Sequence, residues 1–355
     1  MSYRLGILKG DSGENHQEWL QACTSSDHDI EFRTIDIFET DWLESVLSED
    51  DDCILARPPA SVDAHKRIYD ERLFLINKIL KKSIYPSYEE LLIYENKEML
   101  AYWLKAHAIP HPRTWMIYDR EEACDFAAHC VLPVVAKTSI GASGSGVRII
   151  RERSELNKYI ERVFSDSGVR RKWGPNLRRG DFWKRFMSRL KNPLGSIRYF
   201  RGKYQAAVMS PQRWFVILQE YVDCDSEWRC VRIGDSYFAH KKLRGHGEMF
   251  SGTSRVGWEK PPEKLLDFTK TVCDTGGFLS EAVDVFELKD GNYLVNELQC
   301  FFGSKNPHQM IVDGKPGRFI QRNGTWDFEE GVFNANNSFD LRLKHVVELL
   351  ERGEL

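Results

Sequence analysis

Over the first ninety residues, short apolar runs alternate with amphipathic stretches. Tyr3 to Leu8 reads as a strand, Gln17 to Cys23 as a helix and Ile30 to Ile37 as a second strand. Trp42 to Leu47 is helical in spacing, Cys53 to Ala56 is a short buried strand, and Ala64 to Lys82 is a long helix. Strand and helix repeat three times in that order, which predicts a small parallel sheet covered by helices. Asn96 is placed to cap a further helix with Leu100, Trp103 and Leu104 on one face, ending near Pro110 and Pro112. The pattern changes at residue 113, where β-rich runs are joined by glycines: Val131 to Lys137, Gly146 to Ile150, Trp214 to Val222, Arg229 to Ile233, Tyr237 to Lys242, Ala282 to Leu288 and Tyr293 to Leu298. The closing segment, Asp340 to Glu351, is a helix striped by Leu341, Val346, Val347 and Leu350. The expected division is an N-terminal α/β domain over 1–95 and a second unit over 96–355.

Composition narrows the class without naming it. The chain of 355 residues is 42% hydrophobic with 10 Trp, 13 Tyr and 20 Phe, too aromatic for disorder. Its first residues turn polar within ten positions, unlike a signal peptide, and no apolar run approaches the roughly 18 residues of a bilayer span. Eight scattered cysteines without a CxxC pair read as reduced thiols, so a cytoplasmic setting is expected. The net charge of −3 hides an asymmetry: Arg170 to Lys203 carries twelve Lys or Arg against the single acid Asp181. The segment looks like a basic insertion at about 168–205. On a helical wheel, Phe182, Trp183, Phe186, Met187 and Leu190 oppose Lys184, Arg185, Arg189 and Lys191. Such an element suits an anionic, lipid-linked or membrane-surface acceptor, or else packs on its own body; nucleic acid is the weaker reading because no fold for reading bases is visible.

Three stretches carry candidate chemistry. In the first, a strand ends at Lys137 and a loop, Gly141-Ala-Ser143-Gly144-Ser-Gly146, returns into another strand. Glycines let backbone N–H groups converge on phosphate oxygens beside a fixed positive charge. The second is Glu220-Tyr221-Val222, a strand end able to offer main-chain donors and acceptors to a purine edge, followed by Glu227, a carboxylate for ribose hydroxyls. In the third, Asp290-Gly291 turns a hairpin that brings Asp284 near Glu297. Glu297 and Gln299 share a face, and two carboxylates with an amide oxygen are hard ligands suited to Mg²⁺.

In this order, the three stretches resemble the ATP-grasp superfamily of carboxylate–amine ligases, which includes D-alanine–D-alanine ligases and ribosomal-protein glutamate ligases. The resemblance covers roughly 95–350 and implies two α+β subdomains gripping ATP, preceded by a parallel α/β domain. It implies Lys97 and Lys137 as nucleotide lysines, Gly141 to Gly146 as a lid, Glu220 to Val222 at adenine and Glu227 at ribose. Asp284, Glu297 and Gln299 become ligands of one or two Mg²⁺ ions, although the family usually has Asn at the third position. The implied activity joins a carboxylate substrate to an amine through an acyl phosphate, with Arg229, Arg244 and Arg255 on the substrate and Lys242 on the γ-phosphate. The alternatives are an ATP-grasp kinase acting on a hydroxyl and a nucleotide-binding scaffold without turnover. A homodimer and peripheral attachment at the inner membrane surface are left open. Cys300 is expected as a packed thiol beside Phe301 and Phe302 rather than a nucleophile.

Overall fold

The computed structural model describes residues 2–10, 16–59, 62–140, 146–170, 204, 208, 211–243, 256–302 and 307–355. The chain begins with a four-stranded parallel sheet of β1 (Tyr3–Lys9), β2 (Ile30–Asp36), β3 (Cys53–Leu55) and β4 (Ile84–Tyr85), in the order β2-β1-β3-β4. Leu5, Ile7, Leu8 and Ile54 are fully buried, as expected of strands covered on both faces. The covering helices include α1 (Gln17–Ser25), α2 (Trp42–Leu47), α3 (Asp63–Phe74) and α4 (Tyr88–Ile93). The long helix expected to reach Lys82 gives way at Leu75–Ile79 to a π-type turn.

Asn96 caps α5 (Lys97–Ala106) as expected, its side chain accepting from the Met99 amide at 3.1 Å. A small antiparallel sheet follows, ordered β5-β8-β6-β7: β5 (Thr114–Ile117), β6 (Val134–Lys137), β7 (Val147–Ile150) and β8 (Val216–Glu220). Strand β6 starts later than the expected Val131, because Pro133 has no N–H to give a ladder. Trp214 lies outside β8 in the left-handed region, with φ 68°. Helices α6 (Arg120–His129) and α7 (Arg153–Val163) cover this sheet with Ala123, Ala127, Leu156 and Ile160.

The large antiparallel sheet contains β9 (Ser226–Ile233), β10 (Ser236–Leu243), β12 (Ser280–Glu287), β13 (Tyr293–Gln299), β14 (Ile311–Val312) and β15 (Lys315–Arg322), in the order β13-β12-β9-β10-β15-β14. Short β11 (Val256–Gly257) pairs with β10, and β16 (Thr325–Glu330) pairs with β15. Helix α8 (Glu263–Gly276) packs Leu265 and Val272 against Trp228, Val283, Val285 and Leu298. The last helix, α9 (Phe339–Arg352), carries Phe339, Leu343 and Val346 back into the core around Trp19 and the parallel sheet. Among the described residues, no helix is long and apolar enough to cross a membrane.

Candidate active site

Strand alternation decides which side chains meet. Trp228 and Cys230 on β9 point into the core with Val283 and Val285 on β12, so Glu227, Arg229 and Asp284 take the other face. The register sets Arg229 opposite Asp284 and His240, and Lys242 opposite Glu227. Asp284 also pairs directly with Glu297 on β13, as the Asp-Gly hairpin predicts, with Gly291 in the left-handed region at φ 76°.

The ladder then shifts. Asp284 faces Glu297 but the next residue, Val285, faces Val295, leaving Asn296 as the extra residue of a β-bulge. Val295 and Leu298 both stay in the core, while Asn296 and Glu297 both meet charged partners of the cleft. Simple alternation misses Asn296 for this reason. Its amide bridges the two sheets: Lys137 Nζ donates to Asn296 Oδ1 at 3.1 Å, and Asn296 Nδ2 donates to Glu227 Oε1 at 2.5 Å.

The charged side chains form one connected net. Lys242 Nζ lies 2.5 Å from Glu227 Oε2 and 2.6 Å from Asp284 Oδ2. Arg229 grips Asp284 with Nε and Nη2, both at 2.8 Å, and Nη2 stands 3.4 Å from Gln299 Oε1. Burial alone would raise the Asp284 carboxyl, but Arg229 and Lys242 outweigh it and hold it well below the usual carboxylate range. Glu227 goes the other way, raised by burial that Lys242 only partly offsets. On the opposite wall, Lys97 Nζ stands 3.5 Å from Glu297 Oε1 and 3.8 Å from Glu95 Oε2. Glu95 is buried with a left-handed φ of 52°, a second carboxylate beside Lys97 that pattern reading does not reveal. Burial brings Lys137 down to about 8, with Glu297 opposing that shift and Lys97 adding to it.

A cleft opens between α5 and the small sheet. Its apolar walls are Leu100, Ala101, Leu104 and Ile217, and its polar groups are Lys97, Lys137, Thr114, Gln219 and Asn296. Apolar walls beside two lysines are the side-chain types that a base and its phosphates would meet. Glu220 ends β8 with its carboxylate taking the Arg113 amide at 2.7 Å, and Tyr221 lies under the Arg151 guanidinium at 5.9 Å. Val222 follows directly, beyond the end of the strand. Gly146 is explained sterically: a Cβ there would sit 1.9 Å from Thr138 Oγ1. Ser143, Gly144, Arg244, Arg255 and most of the basic stretch lie outside the described residues.

For a metal, the donors are Asp284, Glu297 and Gln299, all hard oxygens at adjacent register positions. No cluster of three or more His, Cys, Asp or Glu side chains suited to a metal ion occurs among the described residues. The donor types suit a cation that keeps most of its shell from water and phosphate, as Mg²⁺ does, and such a cation would have to displace contacts of both Arg229 and Lys242 on Asp284. Cys300 is fully buried in the core beside Phe301, its thiol pushed far up by burial, in keeping with a packing role.

A family model described as "Carbamoyl-phosphate synthase L chain, ATP binding domain" matches residues 97–172. Among solved structures, a D-alanine–D-alanine ligase from Bacillus anthracis is similar with a TM-score of 0.54 at 13% identity, covering 99% of this chain and 98% of that one. An Aspergillus clavatus N5-carboxyaminoimidazole synthase, solved with ADP and an aminoimidazole ribonucleotide, gives 0.55 at 10% identity over 90% of this chain and 81% of that one. D-alanyl-alanine synthetase A from Vibrio cholerae gives 0.53 at 10% identity, covering 99% of each chain. The comparison with curated proteins finds no match. At these identities the likeness is one of fold.

Proposed function

This chain has the ATP-grasp fold, and on that premise we propose that it is an ATP-dependent carboxylate–amine ligase working through an acyl phosphate. The observation that carries the reading is the continuous net from Lys137 through Asn296, Glu227, Lys242 and Asp284 to Arg229. It connects the cleft beside Lys97 and Lys137 to a buried centre in which Arg229 and Lys242 balance Asp284 and Glu227. In this reading residues 1–95 form the preceding domain and 96–355 the grasp.

Lys97 and Lys137 hold the phosphates, Glu220 to Val222 the adenine edge and Glu227 the ribose. Lys242 exchanges Asp284 for the γ-phosphate, and Arg229, with Arg244 and Arg255, orients the substrate carboxylate. That carboxylate attacks the γ-phosphorus and ADP leaves; the amine then attacks the acyl carbon and phosphate leaves. Mg²⁺ on Asp284, Glu297 and Gln299 would supply charge neutralisation between phosphates and carboxylate. The loop containing Ser143, Gly144 and Gly146 keeps water from the acyl phosphate. The acceptor is read as an amino acid, a peptide or a surface-polysaccharide precursor. The basic stretch 170–203 supports an anionic acceptor at the inner face of a membrane, for a chain otherwise residing in the cytoplasm.

The test is ADP release from MgATP with panels of amino acids, peptides and uronic acids, with and without hydroxylamine, products read by mass spectrometry. An ATP-dependent hydroxamate is the expected result. A phosphorylated alcohol with no hydroxamate would replace the ligase by a kinase. ATP-induced stabilisation without turnover on any member would favour a nucleotide-binding scaffold.

A further inference from the structure

Gln212 stands at the root of the basic stretch and reaches the turn that follows Lys137. Its main chain pairs with Val169 in both directions: the Gln212 amide donates to the Val169 carbonyl at 2.9 Å, and the Val169 amide donates to the Gln212 carbonyl at 3.0 Å. Any residue with an N–H could make that pairing, because it uses backbone alone. The side chain does something specific. Gln212 Oε1 accepts from the Ser139 amide at 2.7 Å, and Nε2 donates to the Phe215 carbonyl at 3.0 Å. A main-chain N–H only donates and a carbonyl only accepts, so this one orientation of the side-chain amide satisfies both partners. The residue is 8% exposed.

Ser139 belongs to the short turn between the strand of Lys137 and the glycine loop. Its carbonyl accepts at 3.0 Å from the amide of Lys97, the first residue of α5. Thr138 donates its amide to the Gly146 carbonyl and its hydroxyl to the Ile140 carbonyl, both at 3.0 Å. One turn therefore joins the backbone of Lys97, the strand end at Lys137 and the far side of the glycine loop. Both lysines line the cleft. Lys137 is lowered by burial first and by the Lys97 charge in addition, so the two ammonium groups repel each other. Main-chain bonds through the turn hold the pair together against that repulsion. Gln212 braces the turn without lining the cleft.

We propose that Gln212 is a positioning residue for nucleotide phosphates: by holding Ser139 it sets where Lys97 and Lys137 stand relative to one another. A di- or triphosphate meets both ammonium groups and depends on their spacing. A nucleoside without phosphates does not. The assignment rests on the nucleotide half of the reading above and is independent of amide formation.

The test measures dissociation constants of ADP and of adenosine for the full chain by calorimetry. Gln212→Met is close in volume and makes neither side-chain hydrogen bond. It is expected to weaken ADP about tenfold, as loss of a buried hydrogen bond implies, and adenosine less than about twofold. Val169→Ala disturbs the same root, where Val169 is buried in the small-sheet core, and leaves the Ser139 contact in place. It should keep ADP within about twofold of the parent. Melting without nucleotide shows whether each variant is folded. If Gln212→Met does not fold, Gln212→Asn, whose amide stops one methylene short of Ser139, is read in its place with the same expectation. Unchanged ADP binding in a folded Gln212 variant overturns the positioning role. Equal weakening of ADP by Val169→Ala, or of ADP and adenosine alike by the Gln212 variant, overturns it too. A parent chain that binds no ADP is a different result, because it removes the nucleotide reading itself and this assignment with it.

Discussion

The buried charges at the junction of the parallel sheet and those in the cleft are satisfied in opposite ways. At the junction of the parallel sheet with α9, Glu90 accepts from the main-chain amides of Ser87 at 2.7 Å and Ser280 at 2.6 Å. Arg342 there donates to the Ser280 hydroxyl and to the carbonyls of Asn337 and Cys300, its guanidinium stacked near Phe301, Phe302 and Phe339. In the cleft, Asp284, Glu227, Lys242 and Arg229 satisfy one another, side chain to side chain. Charges tied to the main chain cannot change partners without moving backbone. Charges tied to other side chains can be re-partnered by a phosphate or a cation at the expense of rotamer changes alone. The mode of satisfaction, more than the depth of burial, distinguishes the junction from the proposed site.

Breaking the junction should have the largest effect. Arg342→Met leaves buried acceptors without a donor and is expected to cost about 3 kcal/mol or more in urea unfolding, with little recovery on adding ATP. A variant as stable as the parent would erase the contrast. In the cleft the effect should fall on chemistry: Glu297→Gln is expected to lower turnover at least about a hundredfold. Its stability should stay within about 1 kcal/mol, since Glu297 is a quarter exposed and its pair with Lys97 is long, at 3.5 Å. Unchanged turnover would remove Glu297 from the metal set.

A smaller effect concerns Lys137, which burial lowers to about 8. In the free protein its positive charge is lost as pH rises through that value, so kcat/KM for ATP should decline above about pH 8. Lys137→Arg, which stays charged, should move the decline upward. The smallest expected effect is in acid. Asp284 is depressed in the folded state, so its stabilisation is present above the unfolded value of about 3.9 and is lost as pH falls below it. Glu227, raised, has the opposite sign and softens the slope. Asp284→Asn should therefore flatten the acid limb of the melting curve rather than shift the neutral plateau alone.

The legible parts of this protein are those governed by period and turn chemistry. The three β–α repeats before residue 90, the capping Asn96 and the hairpin that faces Asp284 with Glu297 all follow from local pattern. Helix α7 is absent from a reading drawn to the β-rich runs, although Leu156, Tyr159, Ile160 and Val163 carry the helical spacing. Other features lie beyond local pattern altogether. Asn296 enters the cleft through a bulge, Glu95 comes beside Lys97 through a left-handed turn, and Gln212 reaches Ser139 from 73 residues away. Arg229 is expected from the sequence to meet the substrate, but its grip on the expected metal ligand Asp284 depends on a cross-strand register that a single strand does not encode.

The bulge at Asn296 has a consequence for how this hairpin can vary. In an ordinary ladder the turn sets the register, and a one-residue slip would carry Glu297 into the core and Leu298 into the cleft. Here Val295 and Leu298 lock into the core on either side of the extra residue, so alignment is pinned near the site and not at the tip. The tip around Asp290 and Gly291 is exposed and distant from that pin, which makes it the place where this chain can accept inserted residues, or a grafted peptide tag, without altering the chemistry at the other end.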